Sequence, residues 1–273
     1  MGPIMALAQF NMDEVLSFFA VLVRLSVLFS IVPFFGDRLI LAPIKVLLSI
    51  VVSITLFPVL VASGSIKVSD AHVWGATAGG LTSTIALEVM FGLALGFVSR
   101  LVFEALALGA NLVGNFMGFA SASVYDPHQE SQTEVVAHIQ TTLAMLLFLV
   151  IDGHHVLLRA ILDSYKVVGI GKAGFNDVFQ HQLIFMTAEV FRFGVQMASP
   201  TALGLFLLNM IFGVLSKSLP QLNLLVITFA ANALVGFAIL FISFLEFHDS
   251  IGGMFGRMNE WMRSIMIIMG KGG

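Results

Sequence analysis

From Leu16 to Leu245 the chain is a succession of apolar runs, each close to the length a helix needs to cross a hydrocarbon layer. A bilayer core about 30 Å thick takes roughly 17 to 25 helical residues per crossing. Candidate segments are Leu16 to Phe35, Leu39 to Ala62, Val73 to Val98, Leu101 to Val124, Val135 to Leu158, Val178 to Leu215 and Leu222 to Leu245. Of 273 residues, 58% are hydrophobic and only 11% charged, against about 25% charged in ordinary globular domains. The β-branched and Phe content would also suit strands, but no polar residue falls at every second position as a barrel lumen requires. Because lipid cannot satisfy backbone polar groups, the expectation is an all-α, multispan membrane protein.

Two stretches are too long for simple crossings. A single helix over Val73 to Val124 would measure about 78 Å, so a turn is expected near Ser99 and Arg100. In Val178 to Leu215 the break is expected at MASP, Met197 to Pro200, where proline lacks its amide hydrogen and disfavours helical geometry at Ser199. The first run follows Asp13 and Glu14 without a basic flank, and so reads as a retained span rather than a signal peptide.

With seven crossings, Arg38, Lys45, Arg100, Arg159, Lys166, Lys172, Arg257, Arg263 and Lys271 fall on one side and Lys67 and Lys217 on the other. The basic side faces the cytoplasm, which places the C-terminus inside. Counting Val73 to Val124 as one crossing moves the N-terminus and leaves the C-terminus inside. The tail, Phe247 to Gly273, is too short and interrupted for a further span, and an interfacial or partner-docking helix is expected there.

Arg24, Lys45, Glu88, Glu104, Asp152, Glu189 and Arg192 lie within or at the ends of apolar segments, where a charge must face protein or water. Glu189 and Arg192 are three apart, share a helical face and can compensate each other. The DGHH of Asp152 to His155 offers metal-ligand types. Neighbouring helical residues point about 100° apart, however, so a polar cluster at the end of a span is the simpler reading. No GxSxG elbow, HExxH pair or phosphate-binding loop occurs, and the basic residues form no nucleic-acid groove. Cysteine is absent, which excludes disulfides and thiolate chemistry. The expectation is a protein that is not an enzyme and needs no cofactor or metal.

The stretch NFMGFASASVYDPHQESQTE, Asn115 to Glu134, interrupts this pattern with Phe and Met set among Gly, Ala and Ser. One account is a GxxxG packing face, Gly114 to Gly118, followed by a loop at Asp126 and Pro127. The other is a mobile apolar obstruction in which Phe116, Met117 and Phe119 close a water pathway by dewetting.

The wider sequence resembles the FliR/SctT family of export-gate proteins of flagellar and injectisome type III secretion. The resemblance rests on RLSVLFSIVPFFGDRLILAPIKVLLS (Arg24 to Ser49), LVGNFMGFASASVYDP (Leu112 to Pro127), LVIDGHH (Leu149 to His155) and EVFRFGVQMASPTALGLFLLNMIFGVLSKSLPQLNLLV (Glu189 to Val226). It spans roughly Asp13 to Trp261, and PQLN at Pro220 to Asn223 is its most diagnostic part. The resemblance implies a helical hetero-oligomer with several copies of FliP-like and FliQ-like subunits and a nearby FlhB-like subunit. The chain itself would hold a FliP-like portion (1–165), a FliQ-like portion of bent helical hairpins (166–246) and a cytoplasmic tail (247–273). Gly114, Phe116, Met117, Gly118 and Phe119 would form an apolar pore plug. Arg24, Lys45, Glu189 and Arg192 would be intersubunit or lumen charges, and Pro220, Gln221 and Asn223 a turn between helices. Implied localisation is the bacterial inner membrane, with unfolded export substrates passing through and ATP hydrolysis left to partner proteins. The rival reading is an autonomous solute or ion transporter, motivated by Glu88, Glu104, Glu189, Arg192 and the proline near mid-segment.

Overall fold

The computed structural model describes residues 11–32, 41–119, 133–218 and 224–272, and among these the regular structure is helical. In chain order the helices are α1 (Met12–Ile31), α2 (Ala42–Ala62), a 3-10 turn (Val68–Asp70), α3 (Ala71–Trp74), α4 (Ala78–Phe116), α5 (Thr133–Val150), α6 (Gly153–Val167), α7 (Asp177–Ser218), α8 (Leu224–Ile242) and α9 (Phe244–Lys271). Asp13 and Glu14 occupy the first turn of α1, where negative charge complements the helix dipole. Pro43 opens α2 at a position where its missing N–H has no helical partner to lose. Several hydroxyl groups inside these apolar helices are satisfied by their own backbone, although that of Ser17 in α1 is buried without a partner. Ser30, Ser49, Ser53, Thr55, Ser99 and Thr141 each donate to the carbonyl four residues earlier.

Among the described residues, α1, α2, α4 and α7 are each long and apolar enough to cross a membrane, and α5 with α6 adds a fifth span if the pair is taken as one broken crossing. The turn expected near Ser99 and Arg100 does not form, for α4 is continuous over 39 residues. Nor does Pro200 end a helix. It lies inside α7, which runs for 42 residues. Ser199 donates its hydroxyl to the Gln196 carbonyl at 2.8 Å, meeting the acceptor that the proline nitrogen cannot serve. Hydropathy alone could not find these continuities, because a helix much longer than about 20 residues needs protein rather than lipid along part of its length.

The chain gathers into two compact units: residues 1–100, 154–186 and 258–273 form the first, and 101–153 and 187–257 the second. In the first, α1 packs on α2 through an edge-to-face contact of Phe18 and Phe57 at 5.7 Å. It approaches α4 at Gly92 and Gly96. A Cβ on Gly92 would lie 2.8 Å from the Arg24 carbonyl oxygen, and one on Gly96 would lie 2.9 Å from Ile31 Cβ. In the second unit the close approach is between α4 and α7, where a Cβ on Gly109 would meet Met197 Cε at 2.7 Å and one on Gly194 would meet Leu108 Cδ2 at 2.8 Å. Small-residue packing is therefore present at these positions.

The tail also differs from expectation. α9 is 28 residues long, and Ile251, Met254, Phe255, Met258, Met262, Ile265, Met266 and Met269 are all buried, at spacings of three and four. That stripe is one helical face. Its first part serves the second unit, where Phe255 stacks at 4.9 Å on Phe148, and its last part serves the first unit, where Gly174 donates to the Met269 carbonyl at 2.9 Å.

The grouping of charges also departs from the seven-crossing expectation. Lys67 lines the same small cleft as Lys166 and Lys172, Lys172 pairs with Asp70 at 3.4 Å, and Asp13 lies 4.0 Å from His72. Residues placed on opposite faces by seven crossings thus sit together. Counting α4 as one crossing and α5 with α6 as another restores agreement.

Candidate functional site

The polar centre of the first unit is built on Arg24 of α1. Its guanidinium grips Glu88 of α4 with both ends of the fork, Nε to Oε2 at 2.6 Å and Nη2 to Oε1 at 2.9 Å. Both side chains are only 1% exposed. The remaining donors reach Ser164 Oγ at 3.1 Å and the Val168 carbonyl at 3.3 Å. Rings close the faces, with Phe91 at 4.4 Å and Tyr165 at 4.0 Å from the guanidinium carbon, so the cation is held by quadrupoles as well as by charge. Glu88 Oε1 also accepts the Gly171 amide at 2.9 Å, and Gly171 adopts a φ of +68° that only glycine takes without strain. Arg24, anticipated at a subunit or lumen wall, is enclosed within its own chain. The Arg24–Glu88 pairing was not drawn from the sequence, since 64 residues separate the two. Their shared presence in oil was the available signal.

The apolar interruption lies in the second unit. α4 ends at Phe116, and Gly118 follows with φ +86°. Met117 donates to the Val113 carbonyl and Gly118 to that of Asn115, each at 3.0 Å, a helix stop that uses the left-handed freedom of glycine. Met117 is fully buried in a cluster with Val113, Val136, Ala198 and Leu205. Gly236 of α8 leaves it room, for a Cβ there would lie 2.6 Å from Met117 Cγ. The Phe119 ring meets Phe229 and Phe237 of α8 edge-to-face at 5.7 and 6.4 Å. Phe116 points outward and is 45% exposed. Gly114 is buried in the same last turn.

The backbone, not space, is what requires glycine at 118, where an added Cβ would find only Phe229 at 3.7 Å. Gly118→Ala should destabilise the protein by about 1–2 kcal/mol, read as a lowered unfolding midpoint in detergent. Gly213→Ala is the control: its Cβ enters open space inside a helix, and a gain of about 0.5–1 kcal/mol is expected.

Glu189 and Arg192 pair at 3.2 Å, as their spacing predicts, and Glu189 also accepts from Arg257 at 2.9 Å. Lys45 is half-buried in the first turn of α2. Asp152 takes a left-handed φ of 57° at the end of α5, and the rings of His154 and His155 lie 4.2 Å apart. Pro220, Gln221 and Asn223, like Arg38, Asp126, Pro127 and His128, lie outside the described residues.

Membrane-length helices, a fully enclosed Arg–Glu pair and a glycine-stopped turn of aromatic and thioether side chains together define an all-α protein built to cross a membrane in several passes. Within that class, the chain belongs to the bacterial export proteins, family 1, which it matches over residues 15–258. It is similar to the flagellar biosynthetic protein FliR of Bacillus subtilis (strain 168), 24% identical over 93% of this chain and 96% of that protein. The proteins of the same name from Pectobacterium carotovorum subsp. carotovorum and Escherichia coli (strain K12) are 29% and 28% identical. These cover 80% and 82% of this chain, and the same shares of the relatives.

Proposed function

We propose that the chain is an export-gate component of the flagellar type III secretion apparatus in the bacterial inner membrane, helping to form and close a conduit for unfolded polypeptide. The observation that carries this reading is the family match across residues 15–258. In it, residues 1–165 are a FliP-like portion, 166–246 a FliQ-like portion of helical hairpins, and 247–273 a tail, assembled with FliP-like, FliQ-like and FlhB-like subunits. Apolar exposure fits such surroundings: Leu203, Phe206, Leu207, Met210, Ile211 and Val214 of α7 are all more than half exposed, which calls for lipid or partner protein. Lys45 and the Glu189–Arg192–Arg257 cluster are wall charges in this assembly, and Pro220, Gln221 and Asn223 shape a turn. The face that holds Lys67, Lys166, Lys172 and Lys271 is cytoplasmic, by its excess of basic residues over the Lys45 and Lys217 end.

Closure rests on Phe116, Met117 and Phe119, with Gly114 and Gly118 giving the turn its freedom. A pore wide enough for polypeptide must hold back ions at rest, and a dry constriction does so without charged ligands. No bond is made or broken. The transporter reading loses support from two of its acidic groups, since Glu88 is committed to Arg24 and Glu189 to two arginines. Purification from the producing bacterium in mild detergent tests the choice. The expected result is a large hetero-oligomer, together with no selective solute uptake by the chain alone in liposomes. Uptake by the lone chain would reject the export-gate reading.

A further inference from the structure

A cavity of about 790 Å³ opens in the second unit between α5, α7 and α8. Val136, Ile139, Gln140 and Leu143 of α5 line it at spacings of three and four, so one face of that helix forms a wall. Most of the remaining lining is apolar, including Phe193, Met197, Phe237 and Phe241. Gln196, Ser199, Thr201, Ser243 and Ser250 add polar groups to the lining, but Gln140 is the one left buried and unpaired. It is only 6% exposed, and neither its Nε2 nor its Oε1 has a hydrogen-bond partner. A buried donor and acceptor left unmade together are costly, and no described side chain lining the cavity meets them in this structure.

We propose that this cavity seats an apolar helix of a neighbouring subunit, whose own Asn or Gln side chain pairs with the Gln140 carboxamide. The proposal rests on the export-gate reading and names how one partner is held. Three observations select that occupant. A carboxamide presents a donor and an acceptor side by side, and its complement is another carboxamide; an acyl chain offers neither group, and a glycerol ester offers acceptors alone. The volume far exceeds the roughly 30 Å³ of one water and leaves room for a segment of polypeptide. At the cavity rim Phe237 and Phe241 are 47% and 83% exposed, so the apolar wall continues outward along α8 as an elongated partner requires.

The test uses the full chain in the assembled apparatus of living cells. The photo-reactive p-benzoylphenylalanine replaces Leu143, and the cross-linked peptide is sequenced by mass spectrometry. The adduct is expected on an apolar segment of another subunit within a few residues of an Asn or Gln. Gln140→Leu should lower the assembled fraction about tenfold, the scale of one or two net hydrogen bonds. Replacing the partner's amide residue by Leu as well should restore it. The near-isosteric Gln140→Met guards against a folding defect, and it should leave chain abundance unchanged while assembly falls.

An adduct with the mass of a phospholipid overturns the proposal in favour of lipid. Absence of any adduct in an assembled complex, or wild-type assembly of both Gln140 variants, overturns it as well. Failure of the wild-type chain to enter any hetero-oligomer would instead reject the export-gate reading.

Discussion

Alanine at Phe116 is expected to raise resting ion conductance through the assembled gate, on the order of tenfold, while chain abundance and assembly stay at wild-type levels. The three side chains of the interruption are not equivalent. Phe116 projects from the last turn of α4 with 45% of its surface exposed, so its removal takes little from the fold. Met117 lies wholly inside the cluster of Val113, Val136, Ala198 and Leu205, and Met117→Ala should cost about 2–5 kcal/mol through the cavity it leaves. Phe119 is fixed by two rings of α8, so its truncation should fall between the other two in stability and resemble Phe116→Ala in leak. Planar-bilayer or whole-cell conductance, read beside abundance of the complex, separates these effects. Wild-type conductance in a normally assembled Phe116→Ala gate would reject the plug assignment.

The second large effect is expected at the enclosed ion pair. Arg24→Met or Glu88→Leu alone should destabilise the first unit by about 3–5 kcal/mol, because each leaves an uncompensated charge in a dry site. In cells that reads as loss of the chain. The double variant should recover much of the deficit, since apolar replacement of a whole buried pair is often near neutral. Thermal unfolding in detergent of the single and double variants supplies the comparison. A double variant no better than the worse single would mean that Arg24 acts mainly through Ser164, the Val168 carbonyl and the rings of Phe91 and Tyr165, rather than through Glu88.

The helical class and the positions of most helices were legible because apolar run length is a direct requirement of a lipid phase. The end of α4 was only partly legible: the glycine-rich stretch marked an interruption, but the span was expected to run to Val124, whereas the helix stops at Phe116 and Gly118 turns left-handed. Continuity was not. A polar pair such as Ser99 and Arg100, or a proline such as Pro200, reads as a break in sequence, whereas in the fold Ser99 satisfies itself on Leu95 and Ser199 covers the Gln196 carbonyl. Pairing was legible only where it was local. Glu189 and Arg192 share one turn, but Arg257 reaches the same carboxylate from 68 residues away, and Arg24 finds Glu88 across 64. The tail was underestimated because glycine at 252, 253 and 256 obscures a methionine-rich stripe whose spacing is helical throughout.

The serine and threonine hydroxyls that bend back onto their own carbonyls bear on timing. A membrane helix whose polar side groups require no outside acceptor tolerates a lipid neighbour as readily as a protein one. At those self-satisfied hydroxyls, insertion into lipid needs no companion subunit. Gln140, facing its cavity with an amide unmatched, is among the few described groups left for a neighbour to meet.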